Sequence, residues 1–296
     1  MKVCIPDEAG LSLLGPVPDE VSVSVSTTPA DADFWVPPFL APQDVVARAA
    51  AMPSLKVVQL MSAGADRWAG RLGPGVQLCD ARGVHDSSTS EWVLAAILAY
   101  LRDFPHFVRT GRQWAYRQTD ELAGKRILIV GAGSIGAAVA ARLAPFEVTV
   151  TSVARRARPD EGVHGIEDLP SLLPSADVVV VLVPLTPATT GLVSASFLAA
   201  LPDGALLVNA ARGPVVDTDA ILAEAASGRL GYATDVTEPE PLPAAHRLWD
   251  LPNVLITPHV AGSVRGLPRR AYALAGDQVR RFAAGEPLIN VVVDGY

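Results

Sequence analysis

The chain has 296 residues, half of them hydrophobic, and a formal net charge of −7 at neutral pH. This length is enough for one large domain or two ordinary ones, and the apolar content supports a substantial core. The acidic balance, with no Lys/Arg-rich run, argues against nucleic-acid and membrane-surface partners. The cysteines, Cys4 and Cys79, lack metal-ligand spacing, so we expect neither a metal site nor a disulfide framework.

No segment has the pattern of a membrane span or of a targeting signal. The longest apolar run, 92–101, is bounded by Glu91 and Arg102 and is too short to cross a bilayer as a helix. Lys2 is followed by no long apolar stretch, so no signal peptide is predicted. We therefore expect a cytoplasmic protein.

Short apolar strands alternate with helices through the N-terminal third of the chain. Strands are predicted at Val3–Ile5, Val21–Val25, Phe34–Val36, Val57–Leu60 and Val76–Leu78. Helices are predicted at Val45–Ala51 and, as one long helix bent near Pro105, from Ser88 to Gly111. This alternation predicts a mainly parallel sheet with helices on both faces.

A second α/β series begins at Lys125. Its predicted strands are Ile127–Val130, Val148–Val153, Val178–Val183, Ala205–Val208, Gly231–Asp235 and Val254–Ile256. Its predicted helices are Ile135–Ala144, Pro170–Leu173, Ser194–Ala200, Thr218–Ser227 and Leu267–Ala284. The continuous valines at 178–181 are typical of a strand buried on both faces. Strands joined by helical crossovers predict a doubly wound Rossmann sheet.

The turn after the first strand of this series carries a glycine fingerprint. Gly131, Gly133 and Gly136 form G-x-G-x-x-G between an apolar strand and a helix. In a dinucleotide site these glycines permit a tight turn, close approach to the pyrophosphate and close packing of helix on strand. The helix N-terminus, at Ser134 and Ile135, offers N–H groups to phosphates. The alternative is a glycine-rich turn in another kind of α/β protein.

We predict two Rossmann-like domains with a ligand cleft between them. The dinucleotide-binding domain is expected at 97–267, and a flavodoxin-like, substrate-binding domain at 1–96 plus 268–296. The two long predicted helices are the natural crossings between them. In doubly wound folds, ligands bind beyond the carboxyl ends of the strands.

Three polar clusters follow predicted strands, and each contains one residue suited to acid–base or anion chemistry. These residues are Arg212 within 209–217, Glu240 within 235–243 and His259 within 257–263. An arginine presents a planar fork to a carboxylate, and a histidine beside a carboxylate is a usable proton donor. Taken singly, each has a simpler interpretation that is to be preferred: Arg212 as a surface ion pair, Glu240 as a solvated loop charge and His259 as a loop cap. Together, at strand ends of one sheet, they favour a catalytic site.

The chain resembles the D-isomer-specific 2-hydroxyacid dehydrogenases, most strongly from Glu91 to Ser263. The resemblance is carried by Glu121-Leu-Ala-Gly-Lys-Arg-Ile, Pro184-Leu-Thr-Pro-Ala-Thr-Thr-Gly, Asn209-Ala-Ala-Arg-Gly, Glu240-Pro-Leu-Pro and Thr257-Pro-His. It implies that Arg212 binds the substrate carboxylate and polarises the keto group. It also implies that His259 is the general acid/base and that Glu240, rather than the nearby Glu238, is its partner.

The resemblance also implies binding residues. Asp235 is expected near the nicotinamide carboxamide, and Pro184, Thr189 and Ala210 in the cofactor site together with Arg212 and His259. Backbone N–H groups of Ser62, Ala63 and Gly64 are expected to receive the substrate carboxylate. Family members are commonly homodimers.

The implied reaction is hydride transfer between NAD(P)H and C2 of a small 2-oxo acid such as glyoxylate or hydroxypyruvate, without a metal. One alternative is a nucleotide-sensing regulatory protein on the same scaffold. Another is a family oxidoreductase with a different donor, such as formate or phosphite. Formate dehydrogenases carry glutamine where Glu240 stands, which argues against that branch.

The strand after the glycine loop bears on the choice of cofactor. An NAD site usually has an acidic residue about 20 positions past the glycines, but Ser152 or Val153 stands there. Arg155, Arg156 and Arg158 follow, and arginine suits a 2′-phosphate. We therefore predict that NADP(H) is preferred, with NAD(H) still possible. The alternative is that these arginines only solvate a loop.

Overall fold

The computed structural model describes residues 1–42, 44–114 and 116–293. The chain divides into two compact units, Met1–His85 with Val264–Tyr296, and Asp86–Ser263. The last three residues of the predicted terminal segment 268–296 lie outside the described residues. We call the two units the smaller and the larger unit, and each has its own parallel sheet.

Within the described residues, the strands are β1 (Lys2–Ile5), β2 (Ser22–Val25), β3 (Phe34–Trp35), β4 (Val57–Gln59), β5 (Gln77–Cys79), β6 (Arg126–Val130), β7 (Thr149–Ala154), β8 (Val163–Gly165), β9 (Val178–Val181), β10 (Leu206–Asn209), β11 (Gly231–Thr234) and β12 (Val254–Ile256). The α-helices are α1 (Ala9–Leu13), α2 (Val45–Ala50), α3 (Asp86–Leu101), α4 (Phe104–Thr110), α5 (Ser134–Leu143), α6 (Leu169–Leu172), α7 (Ala195–Ala199), α8 (Thr218–Ala226) and α9 (Leu267–Ala283).

The smaller sheet has the order β2-β1-β3-β4-β5, and every neighbouring pair is parallel. This is the flavodoxin-like order. Alternate residues of its strands enter different apolar clusters: Val3 packs in the cluster that contains Tyr272 of α9, and Cys4 packs in the one that contains Trp35. The strands are therefore buried on both faces, as parallel sheets require.

The larger sheet has the order β12-β11-β10-β9-β6-β7-β8, again with parallel neighbours. This is the Rossmann order with one further strand beyond β11. Ile127 and Ile129 face one apolar cluster, whereas Leu128 and Val130 face the other. All four valines of β9 are fully buried. The sequence-based prediction of two parallel α/β sheets is confirmed.

The unit boundaries fall earlier in the chain than the predicted 96/97 and 267/268. The first lies at His85 because α3 as a whole packs on the larger sheet, with Val93 and Ile97 in the cluster of Ile127. The second lies at Ser263, ahead of α9, whose Tyr272 belongs to the core of the smaller unit.

The single long helix predicted from Ser88 to Gly111 is wrong. The structure has two helices, α3 and α4, separated at Asp103, whose φ of 54° is left-handed. Pro105 explains the break, because a proline there cannot bond the carbonyl of Leu101 and its ring would crowd that carbonyl. The Leu101 carbonyl instead accepts a hydrogen bond from the N–H of Asp120, at 3.0 Å.

Two short elements, α1 and β8, were not predicted. In β8 only Val163 is a large apolar residue, and the five residues of α1 include Gly10, which is a weak helix former. Across the described ranges 1–42, 44–114 and 116–293, no helix combines the length and the apolar character needed to cross a bilayer.

Candidate active site

The glycine loop joins β6 to α5 at the centre of the larger sheet, and two of its positions exclude any side chain. Gly131 has a φ of +121°, and a Cβ on it would lie 2.6 Å from the carbonyl carbon of Leu182. A Cβ on Gly136 would lie 2.1 Å from the carbonyl oxygen of Gly131. Both contacts are with backbone atoms that cannot swing away, so only glycine fits this turn.

Gly133 differs from its neighbours because it faces open space. It is the N-cap of α5, with an extended conformation (φ −86°) and no side chain to accept a hydrogen bond from the first turn. A Cβ on it would have no heavy atom within 4 Å beyond its chain neighbours. The helix N–H groups at Ser134 and Ile135 thus have room for an anion. The loop therefore fits the pyrophosphate of a dinucleotide.

The end of β7 lies against this loop. The N–H groups of Gly131 and Ala132 donate to the carbonyl of Val153, at 2.8 and 3.1 Å. No acidic residue stands at the end of β7, whose last three residues are Ser152, Val153 and Ala154.

Of the three arginines that follow β7, Arg158 bonds to the glycine loop. Its Nη2 donates to the Ala132 carbonyl at 2.9 Å, and its Nε donates to Glu161 at 2.8 Å. The sequence analysis named Arg158 in the arginine cluster and did not predict this contact with the glycine loop. Arg155 and Arg156 are exposed and make no hydrogen bond or ion pair with any described residue.

The other predicted cofactor residues follow the carboxyl ends of β9 and β10. The Thr189 hydroxyl donates to the Pro184 carbonyl at 2.6 Å and accepts from the N–H of Thr186 at 2.8 Å, which fixes the loop after β9. The N–H of Ala210, just after β10, donates to the Val181 carbonyl at 3.2 Å.

Arg212 lies in a tight turn that begins at the last residue of β10. Buried Asn209 accepts a hydrogen bond from the N–H of Ala211 at 3.0 Å and donates to the Arg212 carbonyl at 3.2 Å. The Arg212 Nη1 donates to the Ala211 carbonyl at 2.7 Å. The next residue, Gly213, packs on the adjacent loop so closely that a Cβ would lie 1.9 Å from the Thr237 carbonyl oxygen.

Asp235, buried directly after β11, organises the loop that contains His259. Its carboxylate accepts from the N–H groups of Val260 and Ala261, both at 2.8 Å, and from the Thr257 hydroxyl at 2.6 Å. Its carbonyl accepts from the N–H of His259 at 2.7 Å. His259 itself has a left-handed φ of 55°. Sequence reasoning expected Asp235 near the nicotinamide and did not reveal this contact with the loop.

Glu240 and His259 form a direct pair, with 2.8 Å between Oε1 and Nδ1. The hydrogen bond from His259, the His259 charge and the Arg212 charge hold the pKa of Glu240 below its usual value, although partial burial opposes them. An ionised carboxylate only accepts hydrogen bonds, so Nδ1 carries the hydrogen and Nε2 is the nitrogen left for proton exchange. The Glu238 side chain has no hydrogen-bond partner within the described residues.

The predicted substrate loop belongs to the smaller unit and follows β4. The Ser62 hydroxyl donates to the Gly64 carbonyl at 2.9 Å, and the Ser62 carbonyl accepts from the N–H of Ala81 at 2.9 Å. Just before it, the Met61 carbonyl lies 3.0 Å from Nε2 of buried His85. Ser62, Ala63 and Gly64 are all partly exposed.

Comparison with known proteins identifies the family. Residues 94–261 match the family described as D-isomer specific 2-hydroxyacid dehydrogenase, NAD binding domain. The chain belongs to this family. The family recognised from the sequence motifs is thus confirmed, and with it an NAD(P)-dependent oxidoreductase of 2-hydroxy and 2-oxo acids.

Similar proteins cover nearly the whole chain. A glyoxylate reductase of Thermofilum pendens is 34% identical over 252 residues, which are 80% of this chain and 74% of that protein. A family member from Xanthobacter autotrophicus, solved with NADPH and MES, is 34% identical, with a TM-score of 0.83 over 99% of this chain and 100% of that one. The NADPH-dependent glyoxylate/hydroxypyruvate reductase of Sinorhizobium meliloti, solved with NADP and sulfate, is 30% identical, with a TM-score of 0.84 over 100% of this chain and 99% of that one.

Proposed function

We propose that the protein is an NADPH-preferring reductase of a small 2-oxo acid, which it converts to the D-2-hydroxy acid. The observation that carries the proposal is the 2.8 Å pair of Glu240 and His259. The Arg212 charge acts on the same carboxylate. These three side chains follow β10, β11 and β12, at the carboxyl edge where doubly wound sheets bind ligands.

Each residue has a definite task in this reaction. The nicotinamide cofactor, when bound, supplies the hydride that reduces carbon 2 of the acid. Protonated His259 donates the proton from Nε2 to the carbonyl oxygen as negative charge develops there. Glu240 orients the imidazole through Nδ1 and places its carboxylate beside the ring. The Arg212 guanidinium binds the carboxylate and stabilises charge on the reacting oxygen.

Binding residues complete the proposal. The N–H groups at Ser134 and Ile135, in the loop of Gly131, Gly133 and Gly136, hold the pyrophosphate. Pro184, Thr189, Ala210 and Asp235 line the nicotinamide half of the cofactor site. The N–H groups of Ser62, Ala63 and Gly64 donate to the substrate carboxylate.

The test of function is NADPH consumption over a panel of 2-oxo acids of graded size and charge, starting with glyoxylate and hydroxypyruvate. We expect His259→Ala to lower turnover by about 10²–10⁴-fold, the usual contribution of a general acid. Glu240→Gln should also lower turnover, whereas the matched control Glu238→Gln should not. Near-wild-type turnover of His259→Ala would remove His259 from the mechanism. Tight NADPH binding without turnover of any acid would favour a nucleotide sensor.

The preference for NADPH is supported by the absence of an acid at Ser152 and Val153 and by the exposed Arg155 and Arg156. The Xanthobacter and Sinorhizobium relatives were solved with NADPH and NADP. We expect a higher kcat/KM with NADPH than with NADH. Replacing both Arg155 and Arg156 by alanine should lower the value for NADPH alone, because NADH has no 2′-phosphate. A clear preference of the wild type for NADH would contradict the assignment.

We further propose a cytoplasmic homodimer without nucleic-acid or membrane partners, in keeping with the net charge of −7. Helix α4 buries none of its residues, and Phe104, Val108, Trp114 and Tyr116 are 56%, 80%, 103% and 92% exposed. Several large apolar side chains left exposed within one short segment favour a protein interface there. Sedimentation equilibrium should show that the wild type is a dimer and that the double variant Val108→Ser/Trp114→Ser is a monomer. A monomeric wild type would refute the proposal.

A further inference from the structure

A hydrogen-bonded chain runs from α3 to the loop of His259. It starts at Trp92, which is separated from Thr257 by 165 positions in sequence, and passes through Thr257 to buried Asp235. We propose that Trp92 is a positioning residue, which fixes the backbone of His259 through Thr257 and Asp235. The catalytic consequence rests on the proposed function, whereas the structural consequence can be measured without it.

The direction of each hydrogen bond in this chain is fixed by chemistry. The indole Nε1 of Trp92 lies 3.0 Å from the Thr257 Oγ1, and an indole N–H can only donate. Thr257 therefore accepts from Trp92, and its own hydrogen points to Asp235 Oδ1, 2.6 Å away. Trp92 thus selects the hydroxyl orientation that serves the carboxylate.

The carboxylate in turn holds the backbone around His259. Asp235 is only 3% exposed. It accepts from the N–H groups of Val260 and Ala261 through its side chain, and from the N–H of His259 through its carbonyl. Asp235 therefore accepts hydrogen bonds from three consecutive N–H groups. The left-handed φ of His259 is a conformation that a residue other than glycine keeps only when its surroundings impose it.

Without the indole N–H, the Thr257 hydroxyl is free to turn away from Asp235, and the loop loses one of its restraints. A small displacement of His259 is costly, because proton transfer depends closely on distance and alignment. Trp92 makes no proposed contact with substrate or cofactor. Its loss should therefore lower kcat and leave the KM for the 2-oxo acid and the Kd for NADPH within about twofold.

The kinetic test uses Trp92→Phe, which keeps an aromatic ring and removes the first hydrogen bond of the chain, and Thr257→Val, which keeps the side-chain shape and removes both hydrogen bonds of the hydroxyl. We expect Trp92→Phe and Thr257→Val each to lower kcat by about 10-fold to 100-fold, a usual range for misplaced catalytic groups. Thr257→Ser keeps the hydroxyl and should stay close to wild type. The double variant Trp92→Phe/Thr257→Val should be no slower than Thr257→Val alone, since both break one chain. Multiplicative losses, or an unchanged kcat in Trp92→Phe, would overturn the proposal.

A second measurement does not depend on activity. Residue-resolved hydrogen exchange of the full chain should show faster exchange of the Val260 and Ala261 amides, by about tenfold or more, in Trp92→Phe and Thr257→Val but not in Thr257→Ser. The amides of Val179 and Val180 in β9 serve as the internal control and should not change. Unchanged exchange at 260–261 would refute the positioning role. If the wild type reduced no 2-oxo acid, the proposed function would fail while this measurement still decided the role of Trp92.

Discussion

The first strand-to-helix turns of the two sheets show how one topology gives two different outcomes. Strands β1 and β6 hold equivalent places, and each is followed by a turn into a helix. After β6 the glycine loop leaves the N-terminus of α5 open. After β1, Asp7 fills the corresponding place: its Oδ1 accepts from the N–H of Gly10 at 3.1 Å, and its Oδ2 accepts from the Tyr272 hydroxyl at 2.7 Å.

The difference teaches that a doubly wound sheet does not bind a dinucleotide by topology alone. A helix N-terminus attracts negative charge, and the chain can supply that charge itself or leave the place to a ligand. In the smaller unit a carboxylate of the chain takes the place. In the larger unit, Gly133 places no side chain at the N-terminus of α5.

The largest expected effect comes from placing a carboxylate at the open turn of the larger unit, as Asp7 does in the smaller unit. Gly133→Asp fits the open space and the extended backbone, and aspartate is a good N-cap, so unfolding stability should be kept or rise by a few tenths of a kcal/mol. NADPH affinity should nevertheless fall by about 100-fold or more, because a carboxylate would face the pyrophosphate. Fluorescence titration and calorimetry measure both quantities.

The control for this change is Gly133→Ala, which adds a Cβ without a charge. It should lower NADPH affinity far less than Gly133→Asp does. Equal losses for the two variants would mean that space rather than charge decides binding at this turn.

An intermediate effect is expected from removing the Asp7 carboxylate from the turn of the smaller unit. Asp7→Ala removes the side-chain acceptor of the Gly10 N–H, which keeps the Asp7 carbonyl at 3.2 Å, and leaves the Tyr272 hydroxyl without its partner. The free energy of unfolding should fall by about 2–3 kcal/mol, the sum of a lost helix cap and an unsatisfied buried group. Urea unfolding followed by tryptophan fluorescence checks this, since Trp35 and Trp68 are buried in the smaller unit.

The control for Asp7 is Asp19→Ala, which removes an exposed carboxylate from the same unit. It should change stability little, and neither variant should change NADPH affinity. A loss of NADPH affinity in Asp7→Ala would contradict the separation of roles between the two turns.

The smallest effect is a dependence of stability on pH. Burial, helped by the hydrogen bond and charge of Asp7, raises the pKa of Tyr272 above its usual value. Above about pH 10 an unfolded chain releases this proton while the folded chain keeps it, so stability is lost as the pH rises. Tyr272→Phe lacks this contribution. Its deficit against the wild type, about 1 kcal/mol near neutrality, should therefore shrink between pH 8 and pH 10.5 in urea unfolding.

Tyr116→Phe, made in the monomeric Val108→Ser/Trp114→Ser background, is the matched control for Tyr272, because Tyr116 is 92% exposed in the single chain. Its stability should follow that of the background variant at both pH values. A deficit of Tyr272→Phe that stays constant with pH would show that the hydroxyl does not titrate differently in the folded chain.

Features that depend on neighbouring residues were predictable from the sequence. Apolar runs located β6, β9 and β12, and the glycine spacing located the open turn before α5. The choice of Glu240 over Glu238 came from the family resemblance rather than from a physical pattern in the sequence. The structure places Glu240, not Glu238, against His259.

Features that depend on contacts between distant residues were not predictable. Asp7 and Tyr272 are 265 positions apart, and Trp92 and Thr257 are 165 apart. A tyrosine or tryptophan in an apolar pattern gives no sign of which carboxylate or hydroxyl its polar atom will reach. The break between α3 and α4 has a different cause: the sequence predicts a bend at Pro105, whereas α3 ends before Asp103, whose backbone is left-handed.

The contact of Gly213 with the Thr237 carbonyl has a consequence for redesign. Main-chain atoms set this spacing, so any side chain at Gly213 would push the turn of Arg212 away from the loop of Glu240. Enlarging the site for a bulkier acid by substituting Gly213 would therefore move Arg212 relative to Glu240. Acceptance of larger substrates is better sought by exchanging side chains elsewhere.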